Sequence, residues 1–542
     1  MSENFRPIDH QSQLKQDQFI LKDAQVNEEN VPMDVLFVGA GPAGLVGAIR
    51  LAQISQEKGL NLEIGVLEKA GNLGGHSLSG AVMNPVVLKK LFPDLSDSDF
   101  PFQGAVKGDS VYMLTETGKI PMPTPPTMHN KGNYVASLSE TVRWLGEKAE
   151  AMGINIFTSF PADALMTEGN KIVGVRTTPA GLDRDGNPGS QHMPATDITA
   201  KVTVLTEGTR GPLAQSYMEW QGLKAKSPQI YALGVKELWR VKKQPKNVTH
   251  TLGWPLPKSV FGGSWMYPMG DDMVSLGLVA GMDYENSKLD VHALLQDMKK
   301  HPLFKQYLDG GELLEWGAKT IPEGGLHAIP DRLVGDGLIM AGDCVGFVNV
   351  PALKGIHYAM EGGYQAAETI AEAAAKDDFS KESLASYDER VRSGFIFKDL
   401  KKVRNMRFAF KDGFWSGSIK AALMTITGGA FPGDPSSFHD DAEEKKAPGT
   451  EYENTGLSKV DGVYQAGNKT RDDIPSHLTV GKDVPKDVAE MYVAMCPAGV
   501  YEMNGDELVV NAPNCVDCKA TDVLGPRWQP REGGAGPDYK QM

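Results

Sequence analysis

The sequence predicts a mixed α/β chain with α+β parts, and three observations predict it. A short apolar run, Asp34–Val38, leads into Gly39-x-Gly41-x-x-Gly44 and then into an apolar helix. Two more strand-plus-glycine elements follow, at Val202–Gly208 and at Gly337–Asp343. Of the four cysteines, Cys496, Cys515 and Cys518 fall in the last tenth of the chain. The first two observations describe a nucleotide-binding domain built on a parallel sheet and assembled from separated segments. The third describes a small metal-carrying domain at the C-terminal end.

Length and composition frame these elements. A chain of 542 residues has room for two or three domains. With 41% hydrophobic and 23% charged residues it reads as an ordinary globular protein. Its net charge of −14 argues against nucleic acid as the main partner, because phosphate binding needs a basic face. Four cysteines are too few for a disulfide framework, so the late three suggest metal binding in a reducing compartment. The N-terminal stretch has no apolar signal core, and its scattered acids are unlike a mitochondrial transit peptide. Without an apolar run of about 18 residues, no spanning helix is expected.

The first glycine motif places each glycine for a reason. Gly39 permits a tight turn, Gly41 lets the backbone approach a pyrophosphate, and Gly44 lets helix and strand pack closely. The helix then offers unpaired N–H groups and a positive dipole end to the phosphates. A second strand, Glu63–Leu67, ends in Glu68, whose carboxylate is spaced to accept ribose hydroxyls. Gly71, Gly74 and Gly75 extend the motif in the manner of FAD rather than NAD enzymes.

A second flavin signature follows at Gly337–Asn349, where a short strand ends in Ala341-Gly342-Asp343. Pro351–Gly355 then precedes a helix. Its N-terminus, at Gly355, would direct positive partial charge at the flavin pyrimidine edge and stabilise an anionic reduced ring. Cys344 reads as a small buried residue beside the cofactor. With Val202–Leu205 and Glu207-Gly208 as a third return, the FAD domain is expected to be discontinuous.

At the C-terminal end, Cys496-Pro497 lies upstream of Cys515-Val-Asp-Cys518. Ferredoxins hold a cluster with a C-x₂-C-x₂-C run and a distant Cys-Pro. Glu507–Val510 and the turn at Asn504-Gly505 read as a hairpin of such a fold. The third cysteine of the run would fall at position 521, which is Thr521. That leaves several options: a 4Fe-4S cluster with one ligand from Thr521, Asp517, Asp522 or water, a 3Fe-4S cluster, a zinc site, or no cluster.

Two stretches suggest contact with a membrane surface. Leu73–Asp94 is apolar with few charges. Phe397–Phe431 carries Lys398, Lys401, Lys402, Arg404, Arg407, Lys411 and Lys420, against Asp399 and Asp412, among Phe408, Phe410, Phe414 and Trp415. Basic and aromatic residues beside an apolar patch suit a helix lying in the interface. The segment LDRDG near Gly181–Gly186 reads as a hairpin tip, and Asp434–Pro448 as a polar linker.

CPAGVYE, NCxxCK and EGGxGPxY, with VGAGPAGL, LSGAVMNP, MHNKGNYVASL, KELW, GWPL, FGGSWMY, HPLF and AGDCVGFVNVPALKGIHYAM, resemble the electron-transfer flavoprotein–ubiquinone oxidoreductase family. The resemblance implies a two-part, glutathione-reductase-like FAD-binding domain, an inserted quinone-binding domain and a C-terminal ferredoxin-like domain. It implies that Asp343 meets a ribityl hydroxyl and that the backbone of Gly262 and Gly263 meets a quinone carbonyl. It further implies electrons arriving singly from electron-transfer flavoprotein, an iron–sulfur cluster as a one-electron carrier, and reduction of ubiquinone to ubiquinol at a membrane surface. A peripheral position on the cytoplasmic face of a bacterial inner membrane is expected, or the mitochondrial inner membrane in a eukaryote. The rival readings are a geranylgeranyl-reductase-like flavoprotein, lacking such a cysteine tail, and a non-catalytic flavin-binding adaptor.

The expected boundaries follow. The FAD-binding domain takes 33–120, 195–225 and 325–395, with 121–194 inserted. The quinone region takes 226–325, the membrane-surface helices 396–435 and the iron–sulfur domain 449–542.

Overall fold

The computed structural model describes residues 5–410, 414–430, 439–445, 448–480 and 484–542. A nine-stranded sheet forms the first layer. Its main path runs Ile20–Lys22, Ala162–Glu168, Lys171–Thr177, Asp197–Leu205, Val31–Val38, Ile64–Glu68, Asn155–Thr158. Leu338–Met340 joins parallel to the end of Asp197–Leu205, so all three strands predicted from glycine-bearing motifs lie side by side. Val35–Val38 is buried, as an apolar run in a sheet covered on both faces must be.

Helices Pro42–Lys58 and Ile356–Ala374 cross on this sheet at glycines. A side-chain carbon at Gly363 would come within 2.0 Å of the Ala43 carbonyl, and one at Gly47 within 2.6 Å of the Phe37 ring. The two helix N-termini are thereby drawn together at the carboxyl ends of the strands, where open α/β sheets bind ligands.

The second sheet has seven strands in the order Glu312–Pro322, Tyr231–Arg240, Met273–Gly281, Gly262–Met269, Val248–Gly253, Asp109–Leu114, Lys119–Met122. Helix Val291–Lys300 covers its outer face, with Lys299 and Gln296 bonded to the buried Glu237. The C-terminal segment adds helix Lys486–Met495, the hairpin Tyr501–Asn504 with Glu507–Val510, and helix Ala520–Leu524. One hydrophobic core runs through both the second sheet and this segment, from Val235 and Trp316 to Tyr492, Cys496 and Trp528. Each large apolar side chain buried there contributes about 1.5–3 kcal/mol. The last residues return to the first domain. The Met542 carbonyl accepts from Ser139 N, Ser137 Oγ and Ser139 Oγ, and Tyr539 N donates to the Gly75 carbonyl.

Several expectations shift. Asp109–Leu114 and Lys119–Met122 lie inside the predicted 33–120 FAD block, yet they belong to the second sheet through parallel pairing with Val248–Gly253. Conversely, the predicted 121–194 insert supplies Asn155–Thr158, Ala162–Glu168 and Lys171–Thr177 to the first sheet. The hairpin tip near Gly181–Gly186 is present between Ala180–Leu182 and Pro188–Met193. The polar linker is partly docked. Asp441 accepts from Tyr231 N at 2.8 Å, and Lys445 Nζ donates to the carbonyls of Met282 and Tyr284. Residues 434–438 and 446–447 of that stretch lie outside the described residues.

Neither stretch read as membrane-facing presents itself whole. In Leu73–Asp94 the side chains of Val87, Leu88 and Leu91 are buried, because the stretch packs inward beneath the first sheet's helices. Arg407 also points inward, paired with Glu323 at 2.8 Å and Asp283 at 2.7 Å. Lys398, Lys401 and Lys402 are exposed. So are Ile419, Leu423 and Ile426 on helix Phe414–Ile426. Lys411 and Asp412, and the side chains of Phe414 and Trp415, lie outside the described residues.

Candidate functional site

The predicted flavin residues converge. Gly39 has φ +107°, and a side-chain carbon there would lie 2.5 Å from the Thr206 carbonyl. Only glycine fits that turn. Above Gly41 the space is open, with nothing within 4 Å of an added side-chain carbon. The helix that begins at Pro42 has no side-chain cap, and neither has the one that begins after Gly355. Both ends therefore keep N–H donors for a ligand. Gly342 sits between them, with Ala43 and Ala359 each about 3.5 Å from the position its side-chain carbon would take. Asp343 Oδ1 is 3.8 Å from the corresponding position at Gly355.

The two carboxylates are set for hydroxyl groups. Glu68 takes Ala40 N at 3.1 Å on one oxygen and Ala70 N at 2.8 Å on the other, which fixes its orientation. Burial pushes its pKa up. Burial likewise raises Asp343 to about 6. A groove with two uncapped helix ends, an open glycine turn and two oriented carboxylates fits a dinucleotide. Cys344 is buried, with Sγ 3.2 Å from the Ala341 carbonyl, and plays the packing role expected of it.

Thr206 and Glu207 were not singled out by the sequence as holding residues. Thr206 Oγ1 donates to the carbonyls of Val38 and Gly39 at 2.9 Å, tying the third return to the first turn. Glu207 accepts from Leu213 N and Ala214 N at the start of helix Pro212–Trp220.

The three late cysteines also converge. Cys496 ends helix Lys486–Met495, while Cys515 and Cys518 lie on the loop before helix Ala520–Leu524. They line one cavity together with Thr521, Tyr501 and Trp528. All three are at most 7% exposed, and burial raises each thiol, Cys515 to about 12. A positively charged metal centre would be needed to hold these buried sulfurs as thiolates, and three of them converging on one cavity fit iron–sulfur or zinc chemistry. Thr521 stands at the position predicted, in the cavity wall.

One loop joins the two sites. Asp517 lies between Cys515 and Cys518, and its Oδ1 accepts from Trp528 Nε1 and Arg531 Nη2. Its Oδ2 meets Lys69, the residue after Glu68. Burial alone would raise this carboxyl, but the cations Arg531 and Lys69 hold it well below the usual range. Lys319 Nζ donates to the Asp517 carbonyl at 3.0 Å, and Thr320 N to the Cys518 carbonyl at 3.0 Å. Burial first, then Lys69, lowers Lys319 to about 8. Asp517 lies within the cysteine run, but Lys69 and Lys319 carry no local motif, so nothing in the sequence signals this junction.

Gly262 and Gly263 open the strand Gly262–Met269. Gly262 has φ +153°, and a side-chain carbon there would lie 2.1 Å from the Val279 carbonyl. The neighbouring strand thus demands glycine before any ligand does. Beside them the Phe261 ring takes Arg407 at 4.0 Å and Phe410 at 5.6 Å.

Comparison with known proteins follows the same division. Residues 231–321 match the family described as ETF-QO, ubiquinone-binding, and residues 455–540 match electron transfer flavoprotein-ubiquinone oxidoreductase, 4Fe-4S. Residues 38–93 match an NAD(P)-binding Rossmann-like domain. The mitochondrial electron transfer flavoprotein-ubiquinone oxidoreductase of Dictyostelium discoideum is 38% identical, covering 94% of this chain and 91% of its own length. That of Mus musculus is 35% identical over 94% of this chain and 89% of its own. Among solved structures, a geranylgeranyl bacteriochlorophyll reductase-like protein from Thermoplasma acidophilum superposes with a TM-score of 0.56. It covers 73% of this chain and 92% of its own, and at 20% identity the likeness is one of fold.

Proposed function

The chain belongs to the electron transfer flavoprotein–ubiquinone oxidoreductase family, and we propose that its two joined sites pass electrons from reduced electron-transfer flavoprotein to ubiquinone. It is an oxidoreductase with FAD and an iron–sulfur cluster as cofactors. When bound, FAD exchanges one or two electrons and the cluster one, which matches single-electron arrival to two-electron reduction of a quinone.

The protein's part is to bind, orient and exclude water. The turn Gly39–Gly44 seats the diphosphate, Glu68 takes ribose hydroxyls and Asp343 a ribityl hydroxyl. The N-terminus at Gly355 faces the pyrimidine edge, where its positive end favours negative charge on the ring. Cys496, Cys515 and Cys518 hold the cluster in a closed, apolar cavity. Lys69 ties the cluster loop to the flavin domain, and Lys319 ties it to the second sheet. The backbone at Gly262-Gly263 takes the quinone carbonyl.

The quinone comes from lipid. No helix among the described residues is long and apolar enough to cross a membrane. Phe261 packs on Phe410, just ahead of the helix that exposes Ile419, Leu423 and Ile426. We place that helix on the bilayer surface, so that the quinone enters past Phe261 to the two glycines. The membrane is the cytoplasmic face of a bacterial inner membrane, or the mitochondrial inner membrane in a eukaryote.

The observation that carries this reading is the junction of flavin turn and cysteine loop through Asp517. Reduced electron-transfer flavoprotein should bleach the bound flavin, and a short-chain ubiquinone should restore its colour. A flavin that stays oxidised with that donor would overturn the reading.

A further inference from the structure

The cavity that holds the cluster has unequal corners. Cys496, Cys515, Cys518 and Thr521 all face it, and none is more than 8% exposed. Thr521 follows Cys518 by the same three-residue step that separates Cys518 from Cys515. It therefore occupies the place of a further thiolate. Its hydroxyl lies 3.4 Å from that of Tyr501, inside the same wall.

The two nearby carboxylates are committed elsewhere. Both oxygens of Asp517 are bonded, to Trp528 and Arg531 on one side and to Lys69 on the other. Asp522 binds Arg210 Nε at 2.5 Å and Trp528 N at 3.0 Å. His477 is not bonded elsewhere, since neither of its ring nitrogens has a hydrogen-bond partner among the described residues, and its ligand atom lies within 4.8 Å of those of Cys515 and Asp517. It does not, however, line the cavity that the three cysteines share with Thr521. Cys344, the remaining cysteine, is bonded to Leu205 and Ala341 in the FAD domain.

We propose that this chain holds its cluster by three thiolates, with the Thr521 corner left as an exchangeable site for ferrous iron. The proposal rests on the iron–sulfur reading above. A neutral aliphatic hydroxyl is a harder and weaker donor to a sulfide-bridged iron than a thiolate is. Three of the four irons are anchored to the chain, and the fourth is anchored chiefly by inorganic sulfide. Removing it from the oxidised 4Fe-4S state releases one Fe(II) and gives one electron to an added one-electron oxidant. Three ferric ions and four sulfides stay on the three cysteines. A reductant plus Fe(II) returns both the electron and the iron.

The test uses the full-length protein with flavin bound, purified without oxygen. Iron and sulfide per flavin and low-temperature EPR are followed during titration with ferricyanide. The expected result is loss of one iron in four and a new signal in the oxidised state, both reversed by dithionite with ferrous ammonium sulfate. T521C should keep all four irons under the same oxidant and stay EPR-silent when oxidised. If T521C does not fold, the wild-type titration decides alone. Four irons retained through ferricyanide, with no oxidised-state signal, would overturn the open corner. Flavin bound with no iron at all would instead remove the iron–sulfur reading.

Discussion

Lys69 Nζ lies 2.7 Å from Asp517 Oδ2, so the residue after Glu68 holds the loop that carries Cys515 and Cys518. The pair spans 448 residues of sequence. Asp517 is 1% exposed and has Arg531 as a second cation at 2.9 Å. D517N would leave the buried Arg531 and the half-buried Lys69 without an anion, a change that costs about 3–5 kcal/mol. The expected outcome is a clear drop in thermal midpoint with loss of cluster iron. K69M should cost less, because Arg531 and Trp528 still satisfy the carboxylate. A D517N protein as stable as the wild type would disprove the junction's structural role.

What the sequence made legible here depends on range. Gly39, Gly41, Gly44 and Glu68 sit within one local strand–turn–helix unit, and local chemistry alone dictates their types. Gly355 was legible for the same reason, whereas the role expected of Asp343 came from the family resemblance. The partners of Asp517 were not, since nothing near Lys69 or Lys319 signals a loop hundreds of residues away. The strand Asp109–Leu114 went to the wrong domain because pairing with Val248–Gly253 is a long-range choice that no periodicity records. Arg407 shows the limit of counting charges: a basic stretch does not tell which of its cations turns inward to Glu323 and Asp283.

Acid should destabilise the fold from near neutrality. Burial lowers the pKa of His250 and His357 to about 4, and holds His76, His292 and His477 below their ordinary value. In the unfolded chain each titrates near about 6.5. Between the folded and unfolded values the unfolded state binds more protons, so stability falls as pH drops below about 6.5. Each fully buried histidine contributes a slope of about 1.4 kcal/mol per pH unit in that window. Urea midpoints measured from pH 7.5 to 5 should fall steeply, and a flat profile would contradict neutral burial of these rings.

Glu68 offers a narrower test. Its side chain orients the Gly39–Ala40 turn through Ala40 N and faces the groove. E68Q keeps the size but loses the charge and turns an NH2 donor toward Ala40 N or Ala70 N, and a hydrogen bond to a charged acceptor is worth about 1.5–3 kcal/mol. FAD affinity should fall roughly 10- to 100-fold. Equilibrium dialysis of flavin from the variant measures it, and unchanged retention would detach Glu68 from the ribose.

Gly262 is constrained by its neighbour strand as well as by any quinone. G262A forces a side-chain carbon toward the Val279 carbonyl at a backbone angle foreign to alanine. Strain of this kind costs about 1–3 kcal/mol. Stability should fall while flavin content holds, because the glycine lies in the second sheet. If the glycine also receives quinone, KM for a short-chain ubiquinone should rise in the surviving folded protein. A rise in KM at unchanged electron uptake from electron-transfer flavoprotein separates the two effects.

The exposed face of helix Phe414–Ile426 allows membrane binding to be changed without touching the core. Ile419 is 65% exposed and Ile426 81%, so neither supports the fold. Inserted into lipid, each would bury apolar surface worth about 1.5–3 kcal/mol. Replacing Ile419, Leu423 and Ile426 with serine should weaken vesicle partition by on the order of 100-fold or more. Thermal stability should move by less than about 1 kcal/mol, as surface changes do. Turnover with a water-soluble quinone analogue should persist while turnover with vesicle-borne ubiquinone is lost. Unaltered vesicle binding would mean that another face meets the bilayer, and the quinone path past Phe261 would have to be redrawn.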